Sequence, residues 1–168
     1  MKNAIALILF LALIGGLGFL GWKIFFPDEK AKIVEMLTAL DAAADITPGG
    51  KPLSKLGAAG ELTDFFTKDT KITVNRGPGR KLAIQGKDQL LQAAVGAQNM
   101  GAVISVTLKD PVIELGDSDN ARVQLTAVAN ERAAGTPFVQ MLDLTLVKSG
   151  GDWKISKATT VETFKRLE

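Results

Sequence analysis

Residues 121–155 read ARVQLTAVANERAAGTPFVQMLDLTLVKSGGDWKI. Apolar and polar side chains alternate through most of this stretch, the period-2 pattern of half-buried strands. From Ala121 to Arg132, Val123, Leu125, Ala127 and Ala129 share one face. From Pro137 to Lys148, Phe138, Leu142, Leu144 and Leu146 share another. Ala133-Ala134-Gly135 turns the chain between them, and Ser149-Gly150-Gly151-Asp152 reads as a hairpin turn. Trp153 to Phe164 is then the last strand. Upstream, Val103 to Leu115 is a further strand, kinked or bulged at Lys109-Asp110-Pro111, because proline cannot donate to a ladder. Gly116 to Asn120 turns it into the next strand. Strands joined by short turns make an antiparallel meander.

The preceding segment has a helical period. Asp28 caps a helix over Glu29 to Ala44, with Ile33, Met36, Leu37, Leu40 and Ala44 recurring at three- and four-residue spacing. Thr47 to Pro52 is a loop by composition. A second helix is expected from Ser54 to Phe66, with Leu62, Phe65 and Phe66 as its apolar end. Lys71 to Asn75 and Lys81 to Gln85 read as short strands around Arg76-Gly77-Pro78-Gly79-Arg80. A third helix runs from Asp88 to Asn99, burying Leu90, Leu91, Ala94 and Val95, and Gly101 closes it. Helices followed by a meander indicate an α+β domain.

Working back to the N-terminus, Ala4 to Trp22 is nineteen residues without a charge. As a helix it spans about 28 Å, close to a ~30 Å hydrocarbon core. Trp22, Phe25 and Phe26 lie where an interfacial aromatic belt would sit, and Lys23 can snorkel. A cleaved signal peptide is the rival reading, but no A-x-A site follows and the apolar run continues past Gly18. Residues 1–26 are therefore read as a transmembrane signal-anchor and 27–168 as the domain. Pro27 and Asp28 leave only a short linker, so the domain sits against the bilayer. Lys23, Lys30 and Lys32 favour a cytoplasmic domain, whereas the brief basic start Met1-Lys2-Asn3 resembles that of exported bacterial chains. The expectation adopted is a single-pass protein of the bacterial inner membrane with its domain on the periplasmic or extracellular side.

Composition narrows the chemistry. The 168 residues include no Cys, His or Tyr. Disulfides, thiolate or imidazole metal ligands, Ser-His-Asp triads and Tyr acids are excluded. A net charge of +2 makes no case for nucleic acid. No cofactor and no metal are expected.

The order of elements resembles the nuclear transport factor 2-like superfamily, also called SnoaL-like or cystatin-like. The resemblance covers roughly Asp28 to Thr163. It is carried by the leading helix, the run Glu61 to Asp69, the helix start Gly86-Lys87-Asp88-Gln89-Leu90 and the hairpin Leu144 to Ile155. It implies a cone: about three helices packed on a strongly bent, mostly antiparallel sheet that can hold a pocket. Function within that fold ranges from isomerases and dehydratases to binding modules and secretion scaffolds. Ketosteroid isomerases place a carboxylate base just after the first strand and use a Tyr donor. Here that neighbourhood reads Thr73-Val74-Asn75-Arg76, and Tyr and His are absent. The expectation is a non-catalytic interaction or assembly domain. The alternatives are a binder of small apolar ligands and an isomerase- or dehydratase-like enzyme using a lone carboxylate.

Individual candidates are few. Asp143 would be a base only on the concave face, where desolvation raises a carboxyl pKa. The alternation of Leu142, Leu144 and Leu146 puts Asp143 and Thr145 outside instead. Glu114, Glu131 and Glu162 lie near strand ends, where solvation is the default. Lys68, Lys71, Arg76, Arg80, Lys81 and Lys87 form a basic run. Its densest part, Arg76, Arg80 and Lys81, is a candidate contact for lipid headgroups or an acidic partner, against the plainer reading of a solvated loop. Gly77 and Gly79 make no phosphate loop, because no Gly-Lys-Ser/Thr follows. Trp153 is read as a core residue, with ligand stacking as the alternative. Val139, Met141 and Val147 make the outer sheet face apolar enough to suggest a homodimer.

Overall fold

Asp28 opens the first helix by accepting a hydrogen bond from the Lys30 amide on its Oδ1, at 3.0 Å. Glu29 in the first turn suits the positive end of the helix dipole and pairs with Lys32 at 3.1 Å. The computed structural model describes residues 28–45, 52–75, 81–99, 104–117, 119–131 and 137–161. The chain divides into two units, Met1–Lys32 and Ile33–Glu168. In the first, the described part is the opening turn of this helix. Among the described residues no helix is long and apolar enough to cross a membrane. The expected anchor over residues 1–26 lies outside them.

The elements are α1 (Glu29–Ala44), α2 (Pro52–Asp64), β1 (Phe66–Asn75), β2 (Lys81–Gln85), α3 (Lys87–Asn99), β3 (Ile104–Leu115), β4 (Asn120–Glu131), β5 (Phe138–Ser149) and β6 (Asp152–Thr160). Six strands form one sheet in the order β2-β1-β6-β5-β4-β3. The meander β3 to β6 is antiparallel as expected, and β1 runs parallel to β6.

Most expected boundaries hold within a residue or two, but the first strand begins at Phe66 and not at the expected Lys71. The second helix is shifted: it runs Pro52–Asp64, not Ser54 to Phe66. Proline fits a first helical turn, where its missing N–H has no partner to lose. Phe66 belongs to β1, where it registers with Ile155. The helix ends there because Lys154 Nζ donates to the Asp64 carbonyl at 3.0 Å and the Ile155 amide donates to the Phe65 carbonyl at 2.8 Å. The last strand ends at Thr160, short of the expected Phe164.

The register shifts between Lys109 and Val112, with Asp110 at a φ of 53°. That is the bulge anticipated at Lys109-Asp110-Pro111. Further shifts occur between Phe66 and Lys71 and between Thr145 and Leu146. Bulges bend strands and increase twist, so these three positions curl the sheet. Gly150 and Gly151 have φ values of 65° and 95°, the two positive values that a tight hairpin between β5 and β6 requires.

Inside the curl, Ile33, Leu37 and Leu40 of α1 meet Val123 and Leu125 of β4, Leu144 and Leu146 of β5, and Trp153, Ile155 and Ala158 of β6. Leu62 and Phe65 pack against this cluster. Phe138 has the inward parity of β5 but is 50% exposed. It starts the strand, opposite Ala129, at the rim of the buried cluster.

Candidate functional site

The concave face of the sheet holds a cavity of about 160 Å³. Leu40 roofs it, and Phe66, Ile72 and Val74 of β1, Leu108 of β3, Leu142 and Leu144 of β5, and Ile155 and Ala158 of β6 line it. No described lining side chain can ionise, so among the described residues the cavity has no acid, base or nucleophile. Its volume is near that of engineered apolar cavities which stay dry and admit benzene, about 150 Å³. It is below the ~300–1,000 Å³ of drug-sized ligand sites.

A polar group lies next to it in sequence. The amide of Asn75, beside Val74, donates to Thr160 Oγ1 at 2.9 Å. Gln140 Nε2 donates to the Asn75 carbonyl. Asn75 Oδ1 is buried without a hydrogen-bond partner among the described residues. These three side chains sit at the ends of β1, β5 and β6.

A second hollow, of about 230 Å³, opens between α1 and the β3 bulge. Val34, Leu37, Thr38 and Asp41 form one wall, and Leu108, Pro111 and Leu125 the other. Across it, the Leu108 amide donates to Asp41 Oδ1 at 2.8 Å, and the Val106 amide donates to Asp45 Oδ1 at 3.0 Å. β3 is an edge strand. Two carboxylates one helical turn apart thus cover part of its unpaired backbone. Sequence reasoning passed over both residues. The available signal was electrostatic: acids in the last turns of a helix oppose the macrodipole, so they want a tertiary partner.

The sequence candidates are dispersed. Asp143 lies on the convex face, where Arg122 Nε donates to its two oxygens at 3.0 and 3.1 Å. The guanidinium, through that hydrogen bond first, holds the Asp143 carboxyl below its usual range. This is the reverse of what a general base needs. Glu114 is solvent-exposed on β3. The side chain of Glu131, and all of Glu162, lie outside the described residues. So do Arg76 and Arg80, while Lys81 opens β2 exposed. Lys87, from the same basic run, pairs with Asp64 and lowers its pKa. Trp153 is 5% exposed and belongs to the core, with Lys148 Nζ 5.7 Å from its ring centre. Among the described residues no three potential metal-ligating side chains converge.

Among the described residues the convex face carries an uncharged area at one end of β5, and Val112 of β3, opposite Gln124, is also exposed there. Val139 and Met141 of β5 are 56% and 43% exposed. They register with Val128 and Thr126 of β4, and the Val161 amide, beyond β6, donates to the Met141 carbonyl. The Arg122–Asp143 pair marks its charged border.

No family model matches the sequence, and no curated protein does. Solved structures match in fold. A nuclear transport factor 2-like protein with a cystatin-like fold from Novosphingobium aromaticivorans gives a TM-score of 0.62 at 14% identity, covering 88% of this chain and 90% of that one. A cystatin-like protein of unknown function from Nostoc punctiforme gives 0.59 at 14% identity, covering 82% and 95%. Another N. aromaticivorans protein, named as a candidate scytalone dehydratase, gives 0.59 at 16% identity, covering 83% and 89%. The likeness shows the fold, a cystatin-like α+β arrangement that, among the described residues, sets three helices on a mixed six-stranded sheet.

Proposed function

We propose that this chain is a non-catalytic interaction domain, held at a bacterial inner membrane by residues 1–26 with the domain on the outer side. It pairs through its convex sheet face with a second copy of itself. The observation that supports the reading most is the uncharged strip around Val139, Met141 and Val161, exposed on a sheet whose other outer positions include Lys71, Arg122, Asp143 and Lys157. An apolar area rimmed by charge is the usual form of a protein contact. The described lining of the concave cavity, from Leu40 to Ala158, is apolar, as a role without acid–base chemistry would allow.

The natural absence of cysteine makes the test clean. Met141→Cys in the full chain, treated in its membranes with a short bis-maleimide, should give a species of twice the chain mass. Glu61→Cys, on the exposed side of α2, should not. Equal cross-linking of both, or of neither, overturns the pairing. Carbonate extraction followed by protease treatment of spheroplasts tests the anchor and the side of the membrane.

A second reading follows from the cavity: the domain binds a small, uncharged apolar molecule among Leu40, Ile72, Val74 and Leu142. The fold relative named as a candidate dehydratase keeps an enzyme in view, but no described residue of this cavity supplies its chemistry.

A further inference from the structure

We infer that Leu108 is a gate between the outer hollow and the inner cavity, and that Asp41 is the residue that holds it shut. The inference rests on the apolar-ligand reading of the cavity. Its starting point is that the Leu108 side chain lines both spaces, the cavity of about 160 Å³ and the hollow of about 230 Å³. On this account the spaces join when Leu108 moves outward together with the strand segment that carries it. The joined space falls within the ~300–1,000 Å³ of ordinary ligand sites, which neither reaches alone.

The backbone of the same residue is the point at which α1 is fastened to β3. The Leu108 N–H faces outward because β3 is an edge strand, and Asp41 Oδ1 receives it at 2.8 Å. One turn on, Asp45 takes the Val106 N–H at 3.0 Å. Hydrogen bonds to a charged acceptor are the stronger kind and fix position as well as contribute energy. Three residues beyond Leu108 comes Pro111, in the bulge that turns β3 and forms the far wall of the hollow. The strand is therefore held to the helix just before the bulge. Leu108 lies at that junction. Asp41 itself borders the hollow, so its carboxylate also presents a polar rim that an apolar molecule crosses on its way in.

Asp41 is a positioning residue on this account, and its effect is on rates. Opening needs the Asp41–Leu108 bond to break; the closed, occupied cavity does not change. Removing the acceptor should speed exchange of a ligand far more than it alters affinity. A merely structural role would lower the melting temperature without separating the two.

The probe is benzene, supplied at fixed vapour pressure so that uptake by detergent leaves its activity unchanged. The full chain is methyl-labelled at Leu, Ile and Val, and exchange is read at the methyls of Leu142 and Ile155. Asp41→Ala is expected to exchange benzene about tenfold faster than the native chain, with affinity within about twofold. Asp41→Asn, which keeps an acceptor oxygen, should stay near native. Leu108→Val, which trims the gate and leaves its amide in place, should match Asp41→Ala and serves if that variant folds poorly. Native exchange rates in both Asp41→Ala and Leu108→Val overturn the gate while leaving the cavity as a binding site. No benzene shift in any variant overturns the cavity reading and the gate with it.

Discussion

Thr70 is fully buried, and its hydroxyl has no hydrogen-bond partner among the described residues. A buried polar atom without a partner costs roughly 1–3 kcal/mol. Valine has nearly the same shape and lacks the hydroxyl. Thr70→Val should therefore stabilise the protein by about 1 kcal/mol, a rise of about 2–6 °C in Tm by differential scanning calorimetry. A fall would mean that the hydroxyl is satisfied in solution. Asp143 makes the opposite kind of argument, through pH. Its folded pKa is depressed by Arg122, so its contribution is present in full above the unfolded value of about 3.9 and is lost as pH falls through the lower folded value. Asp143→Asn should lower Tm by a constant amount from pH 7 down to about 4, and the gap should close below that. High salt should shrink it throughout, because Arg122 is exposed. A gap that persists unchanged at low pH would assign the loss to packing.

At the scale of elements, the bulge in β3 and the β5–β6 hairpin were legible for the same reason: each needs a special residue. Pro111 cannot complete a ladder, and Gly150-Gly151 supplies two positive φ values. Gly151→Ala should cost about 1 kcal/mol, since its φ of 95° suits no L side chain, and open space around its missing Cβ rules out a clash as the cause. Asp110→Gly should be neutral or slightly stabilising, as Asp110 occupies the left-handed region at a φ of 53°. Urea denaturation of the two variants separates these outcomes, and a stable Gly151→Ala would refute the turn geometry. Less legible was where α2 gives way to β1. Phe65 and Phe66 continue the helical apolar pattern, and only the pairing of Phe66 with Ile155, remote in sequence, pulls the chain into a strand. Local periodicity carries no trace of such a contact. The Asp41 and Asp45 attachments were hidden likewise, because a carboxylate on a helix surface looks solvated until the edge strand beneath it is known.

For the whole molecule, the alternation along β4 and β5 had already sorted residues into two faces, and the structure keeps that sorting from Ala121 to Leu125 and from Leu142 to Leu146. It did not reveal that the inner face leaves a void. Void volume depends on how Leu40 and Leu108 meet across the curled sheet, and no single strand's pattern encodes it. The outer face was the more informative one, since Val139 and Met141 break the rule that convex positions are polar. If that strip pairs two copies, stability depends on protein concentration, because dissociation accompanies unfolding. A hundredfold increase should then be worth about 2.7 kcal/mol per dimer and raise Tm by several degrees. Met141→Lys puts a charge at the centre of the contact and should abolish that dependence. In the dilute limit the same variant should match the native Tm, because substitution at an exposed site usually changes stability by less than about 0.5 kcal/mol. A native Tm independent of concentration would assign the strip to some other partner. A variant that melts early at every concentration would mean that Met141 supports the fold of its own chain.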